Sequence, residues 1–301
     1  MVNTDRPRIH LPAIILRMST WSVGRFEVRR RDLLRTVLAS ATLVPASAVM
    51  RSQRSARLWA RAARKALGLA EDIQGLDRVS TEGPYLVTPL HEGFADVLLL
   101  GHLPLDLRFV VRDELFEWPW LGRGLRSTSQ IRLSPEDGVG AMRRLLRQAS
   151  ESFDRGESLV VFPQGTILGV ETAFRPAAFR LADMLGVPVL PVVITGTHTV
   201  WEHPFSDRFR FGQRVSMHVL EPLPVGEARR RMTALQTQMK ELALAPGTAP
   251  ARRFDPDRDG FWDDYSYEID AAFPEVARQV AEHRAAVGSA VGREPEIDPT
   301  V

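Results

Sequence analysis

Short apolar runs alternate with segments of helical period through the middle of the chain. Residues 85–87, 107–111, 158–162, 187–194 and 215–220 are brief and rich in Val, Ile, Leu and Phe, which predicts buried strands. Between and after them, residues 139–153, 176–185, 226–244 and 273–287 place apolar side chains three and four apart, which predicts helices. Upstream, residues 54–69 carry Leu58, Trp59, Ala62, Ala66 and Leu69 at near-helical spacing with arginines elsewhere, the pattern of an amphipathic helix. Strands interleaved with helices predict an α/β fold: a central mixed sheet flanked by helices, with its ligand site where strands end and loops begin. The expected organisation is a basic amphipathic N-terminal segment over 1–69, a core over 70–224 and a C-terminal helical extension with a tail over 225–301.

Charge sharpens the first of these divisions. Residues 1–67 hold fourteen basic side chains against Asp5, Glu27 and Asp32, whereas the rest of the chain holds 25 basic and 34 acidic ones. The basic segment also contains the apolar stretches Leu11-Pro-Ala-Ile-Ile-Leu16 and 36–50, without the aromatic ladder that stacks bases. A membrane surface is therefore the expected partner, not nucleic acid. The uncharged run 36–50 is shorter than the roughly twenty apolar residues that span a bilayer. Arg29-Arg30-Arg31 ahead of Pro45-Ala-Ser-Ala48 also has the form of a twin-arginine export signal, but it lies far from Met1, and an interfacial anchor is the reading adopted. No cysteine is present, which excludes a disulfide framework, a thiolate nucleophile and Cys-type metal centres.

Three segments carry candidate chemistry. His91 follows an apolar run and is separated from Asp96 by Glu92-Gly-Phe-Ala95. Five residues apart on one helix they would lie about 140° from each other, so they meet only if His91 sits in the strand-end loop and Asp96 in the first helical turn. That arrangement gives a carboxylate orienting an imidazole base. The second segment, Val160-Val-Phe-Pro-Gln-Gly-Thr166, offers backbone N–H groups and a hydroxyl at a strand-end turn, a cradle for a phosphate or an oxyanion. The third, Gly186-Val-Pro-Val-Leu-Pro-Val-Val-Ile-Thr-Gly-Thr-His198, reads as a buried strand bracketed by prolines. Asp255-Pro-Asp-Arg-Asp-Gly260 resembles the opening of a calcium loop, but the twelfth position is Ser266 in place of Glu, so it is read as a capped turn. No Gly-x-Ser-x-Gly nucleophile elbow occurs, and His198, Glu202 and His203 miss a single helical face for a metal.

Taken in order and spacing, His91-Glu-Gly-Phe-Ala-Asp96, Phe162-Pro-Gln-Gly-Thr-Ile-Leu168 and Val187-Pro-Val-Leu-Pro191 resemble the blocks of the glycerolipid acyltransferase family, which includes the 1-acylglycerol-3-phosphate acyltransferases. The resemblance covers about residues 57–222. It implies acyl transfer from a thioester of coenzyme A or acyl carrier protein to a hydroxyl of a lysophospholipid-like acceptor, most simply 1-acylglycerol 3-phosphate, at the cytoplasmic face of the cell membrane. It implies His91 as general base and Asp96 as its orienting carboxylate, with no metal or other cofactor. Gln164, Gly165 and Thr166 would meet the acceptor headgroup. The chain departs from the family pattern at two places: Gln164 replaces a glutamate, and Ile167 replaces an arginine assigned to the acceptor's phosphate. Where the family has a further Asp-Arg pair this chain has Ser134-Pro135, leaving Arg132 nearby, with Arg126 and Arg175 as further cations for the phosphate. The alternative readings are an acyltransferase for a different glycolipid or lysolipid acceptor and a non-catalytic membrane-binding protein on the same scaffold.

Overall fold

The computed structural model describes residues 52–117, 121–133, 138–201, 209–255, 259 and 267–287, with isolated short pieces at 22–23, 26–27, 39 and 46. The expectations for the stretches 11–16 and 36–50, the Arg29–Arg31 signal, Ser134-Pro135, Glu202 and His203 lie on or mostly on residues outside that set.

Seven strands form the central sheet: β1 (Ala70–Gln74), β2 (Leu86–Pro89), β3 (Leu107–Arg112), β4 (Ile131–Leu133), β5 (Ser158–Val160), β6 (Val189–Thr195) and β7 (Arg214–Val219). Their order across the sheet is β1-β7-β6-β2-β5-β3-β4, and every neighbouring pair is parallel except β6 with β7. The sheet is therefore mixed, as the sequence predicts. The helices are α1 (Gln53–Leu67), α2 (Asp96–Leu100), α3 (Leu121–Ser127), α4 (Gly138–Asp154), α5 (Pro176–Leu185), α6 (Ala228–Ala243) and α7 (Pro274–Val287).

The apolar runs are continuous because both faces of these strands are covered. Alternate side chains go to opposite faces: Val87, Val160, Leu190, Val192 and Ile194 join one core cluster, while Leu86, Leu159, Val189 and Val193 join the other. The first cluster is closed by Leu98, Leu99 and Leu100 of α2 and by Ala60, Ala63 and Leu67 of α1. The second is closed by α5 and α6, through Phe179, Ala182, Leu235 and Met239. Thus α1 buries Ala60, Ala63 and Leu67 in the core, whereas Leu58, Ala62 and Ala66 of the apolar pattern read from the sequence are exposed. Its other face exposes Arg54, Leu58, Arg61 and Lys65, with Leu58 61% exposed. Ser52 caps its start by accepting from the Ser55 N–H, and Gly68, at φ 64°, ends it in the left-handed conformation. Among the described residues no helix is long and apolar enough to cross a membrane.

The extension beyond residue 224 is bound into the same body. Buried Lys240 of α6 donates to Asp270 Oδ2 at 2.7 Å and to the Thr172 carbonyl at 2.9 Å. Within the stretch read as a capped turn, Asp255 N donates to Asp259 Oδ2 at 2.8 Å and Asp259 N donates to the Asp255 carbonyl at 2.7 Å. Asp259 Oδ1 accepts from the Arg252 guanidinium at 2.5 Å, so both its oxygens are engaged by the protein. Among the described residues no group of His, Asp and Glu has the arrangement of a metal site.

Candidate active site

Parallel pairing puts the C-terminal ends of β2, β5 and β6 at one edge of the sheet, and the three chemistry-bearing segments follow those ends. The register pairs Val87 with Val160; four residues farther along each chain stand His91 and Gln164. There the His91 backbone N–H donates to Gln164 Oε1 at 2.9 Å. Gln164 Nε2 in turn donates to the Gly169 carbonyl at 2.8 Å, and the side chain is 1% exposed. Both ends of the amide are thus used to hold the two loops together. Gln164 holds the His91 backbone and is buried with both ends engaged, so the structure does not present it as an acceptor ligand.

His91 lies in the loop after β2 and Asp96 opens α2, the placement their five-residue spacing requires. His91 Nδ1 and Asp96 Oδ2 are 2.7 Å apart. Asp96 is fully buried, and the same Oδ2 accepts from the Glu92 N–H at 2.9 Å and the Gly93 N–H at 3.2 Å. Its Oδ1 accepts from the Thr197 hydroxyl. Four donors converging on one carboxylate close the loop, and Gly93 does so without a left-handed backbone. Because an ionised carboxylate only accepts, the proton between the two residues belongs to Nδ1, which leaves Nε2 as the basic nitrogen. The imidazole is only partly buried and stacks on Phe162, with ring centroids 3.8 Å apart and planes inclined by 20°. That contact fixes the ring about the torsion which the hydrogen bond leaves free.

On the other side lies the turn after β5. Gly165 takes φ 71°, donates its N–H to the Phe162 carbonyl at 3.1 Å, and packs so close to Arg175 that an added Cβ would meet its Nε at 3.2 Å. Arg175 precedes Pro176 at the start of α5 and is tied to the turn by its own N–H, which donates to the Pro163 carbonyl at 2.8 Å. Burial against the turn pushes its guanidinium pKa down from the ordinary value, with the charge of Glu268 working the other way. Arg175 makes no ion pair among the described residues. Thr166 is buried, whereas Arg175 is exposed overall, and the Thr166 hydroxyl oxygen has no hydrogen-bond partner. The turn therefore places the unpartnered Thr166 hydroxyl and the Arg175 guanidinium next to Gly165.

The other two arginines are held elsewhere. Arg132 sits on β4, three strands from β2 and so about 14 Å away laterally. Its guanidinium pairs with Glu117, donates to the Asp113 carbonyl and lies over the Phe116 ring at 5.1 Å. Arg126 donates to the Phe116 carbonyl at 2.6 Å. Neither is brought to His91. The structure adds residues that the sequence reading left out: Thr197, which holds Asp96, and Glu92 with its partners His198 and Arg252. The one available signal for Thr197 and His198 was their place directly after an apolar strand, the same place His91 occupies after β2.

Residues 71–195 match the family model described as Acyltransferase. A chloroplastic 1-acyl-sn-glycerol-3-phosphate acyltransferase from Brassica napus is 30% identical over 132 residues, covering 42% of this chain and 37% of the relative. A lyso-ornithine lipid O-acyltransferase from Pseudomonas aeruginosa is 29% identical over 197 residues, covering 58% of this chain and 74% of the relative. The chain spans less than half the length of the first curated relatives it matches. The crystal structure of a 1-acyl-sn-glycerophosphate acyltransferase from Thermotoga maritima superimposes with a TM-score of 0.56 at 23% identity, over 71% of this chain and 97% of that one, and so shares the fold. The block pattern, the family-model match over residues 71–195 and these relatives all make the chain similar to the glycerolipid acyltransferases.

Proposed function

We propose that this protein transfers a fatty acyl group from a thioester of coenzyme A or acyl carrier protein to the free hydroxyl of a lysolipid with an anionic headgroup, 1-acylglycerol 3-phosphate first among them. The observation that carries the reading is the His91–Asp96 pair: Nδ1 is held by a buried carboxylate, and Nε2 is basic on a partly exposed ring. Nε2 takes the proton of the acceptor hydroxyl as its oxygen attacks the thioester carbonyl. The tetrahedral intermediate then collapses, the carbon–sulfur bond breaks, and the imidazolium returns the proton to the departing sulfur. Asp96 stabilises the imidazolium between the two proton transfers. No acyl-enzyme forms, and neither a metal nor another cofactor enters the scheme.

The acceptor's headgroup is assigned to Gly165, Thr166 and Arg175, where an exposed guanidinium adjoins a hydroxyl that has no hydrogen-bond partner. The exposed basic face of α1, with Leu58 among Arg54, Arg61 and Lys65, supports peripheral attachment to anionic lipid on the cytoplasmic face, so that a water-insoluble acceptor reaches the site from the membrane. Ile167 supports a second acceptor. With its arginine replaced, the turn keeps one cation, Arg175, which matches a headgroup bearing a carboxylate as well as a phosphate, and one relative is a lyso-ornithine lipid O-acyltransferase.

The test is thiol release from a long-chain acyl-coenzyme A by the detergent-solubilised protein with 1-acylglycerol 3-phosphate, glycerol 3-phosphate, a neutral lysolipid and a lyso-ornithine lipid as separate acceptors. Release that requires 1-acylglycerol 3-phosphate and disappears in His91→Ala is the expected result. Release with the lyso-ornithine lipid alone moves the assignment to the second acceptor, and release that survives His91→Ala ends the catalytic reading.

A further inference from the structure

Glu92 lies inside the catalytic loop and has no part in the acyl transfer described above. It is 5% exposed, and both of its carboxylate oxygens are engaged. Oε2 lies 3.0 Å from His198 Nδ1, and Oε1 accepts from the Arg252 backbone N–H at 2.7 Å. Its own N–H is one of the donors to Asp96. Arg252 lies 160 residues away in sequence, past the end of the family match at residue 195.

The segment 252–254 is itself firmly fixed. The Arg252 guanidinium, 2% exposed, pairs with fully buried Asp259. Its carbonyl accepts from the Val170 N–H at 3.0 Å. The next two residues are held by buried Glu171: Arg253 Nε donates to Oε1 at 2.5 Å and the Phe254 N–H donates to Oε2 at 2.9 Å. Gly169 packs against the same backbone, since an added Cβ would lie 2.7 Å from the Phe254 nitrogen. Two chains of contact therefore run from this segment to His91. One passes from the Arg252 N–H through Glu92 to Asp96. The other passes from the Arg252 carbonyl through Val170 and Gly169 to Gln164, which accepts from the His91 N–H.

We propose that residues 252–254, anchored by the Arg252–Asp259 pair, form a buttress that sets the position of His91, and that Glu92 is the positioning residue through which the buttress acts. The proposal rests on His91 being the base of the reaction. Glu92 is suited to the task because a buried carboxylate demands its donors: once the loop folds, Oε1 and Oε2 are satisfied only if the strand-end turn at His198 and the segment at Arg252 are both in place. The geometry of a general base tolerates little error, and a displacement of about 1 Å costs about a hundredfold in rate.

The experiment compares Glu92→Ala and Glu92→Gln in the full chain, in detergent, with long-chain acyl-coenzyme A and 1-acylglycerol 3-phosphate. Glutamine keeps an oxygen for the Arg252 N–H and donates its amide N–H to His198 Nδ1, which accepts once the ring proton moves to Nε2, so it preserves the connection without the charge. Glu92→Ala is expected to lower kcat about 10- to 100-fold with KM changed less than about twofold, and Glu92→Gln to restore most of the loss. A second readout needs no substrate: in protein labelled with 15N-histidine, the His91 Nδ1–H resonance, identified by its loss in His91→Ala, shifts or broadens in Glu92→Ala and keeps its wild-type position in Glu92→Gln. If Glu92→Ala fails to fold, Asp259→Asn replaces it, with the same resonance change and a smaller fall in kcat expected. An unchanged resonance and kcat in Glu92→Ala overturn the proposal, as does an equal loss in the alanine and glutamine variants. A wild-type protein that acylates no acceptor, yet shows the resonance change in Glu92→Ala, overturns the acyltransferase reading and supports the buttress.

Discussion

The loop after β2 and the turn after β5 lie side by side at the same edge of the sheet, yet they differ in what they leave unsatisfied. Around His91 and Asp96 each described polar contact is made within the protein: four donors reach the Asp96 carboxylate, Gln164 receives the His91 N–H, and Phe162 supports the ring. Around Gly165 the contacts are fewer, with the buried Thr166 hydroxyl lacking a hydrogen-bond partner and the exposed Arg175 making no close ion pair, the charge of Glu268 acting on it from farther away. A buried polar group without a partner costs free energy in the folded state unless something bound to the protein satisfies it. The first region is held in one geometry by its own contacts, and the second is the one to which the proposed function assigns a polar ligand.

The largest effect that would break this contrast is on catalysis. His91→Ala should lower kcat/KM for acyl transfer by about a thousandfold, within the range for loss of a positioned general base, as measured by thiol release. Removing the carboxylate tests the same region through stability. Asp96→Ala leaves the Glu92 and Gly93 N–H groups and the Thr197 hydroxyl without their acceptor, and should cost about 3 kcal/mol in chemical denaturation.

The acceptor turn should respond in binding before it responds in stability. Arg175→Gln should raise KM for an anionic acceptor by about tenfold, the scale of one charge-assisted hydrogen bond, with kcat little changed. In wild type that KM should also rise with ionic strength, a dependence that Arg175→Gln removes. Smallest of all is Thr166→Val. The hydroxyl has no intramolecular bond to lose, so the melting temperature should stay put or rise slightly, while KM for the acceptor rises by a few fold. A clear loss of stability in Thr166→Val would show that the turn satisfies its own groups, and the contrast with the His91 loop would fall.

Much of the fold follows from local pattern. The helices predicted over 139–153, 176–185 and 273–287 match α4, α5 and α7 to within a residue at each end, because each presents an apolar stripe of helical period. The strands missed by that reading are β1 and β4. β1, Ala-Glu-Asp-Ile-Gln, is an edge strand that is mostly exposed, and β4 has only three residues at the opposite edge, so neither carries an apolar run. Which pair of a mixed sheet runs antiparallel was equally hidden, since the match of β6 with β7 is set by how the chain returns.

The division between sequence and structure is sharpest in the site itself. The sequence alone determined the residue types that chemistry needs, His91 and Asp96 at a spacing that demands a strand-end loop, and the Gly165 turn after its apolar strand. Tertiary structure decided their partners. It engaged both ends of Gln164, turned Arg132 toward Glu117, left Arg175 over Gly165, and brought Thr197 to Asp96 and Arg252 to Glu92. The reason is one of range. Periodicity and spacing report which face of a segment is buried, a property of neighbouring residues, whereas a side chain's hydrogen-bond partner is chosen by whichever atoms the sheet order and register carry to it from 73, 101 or 160 residues away.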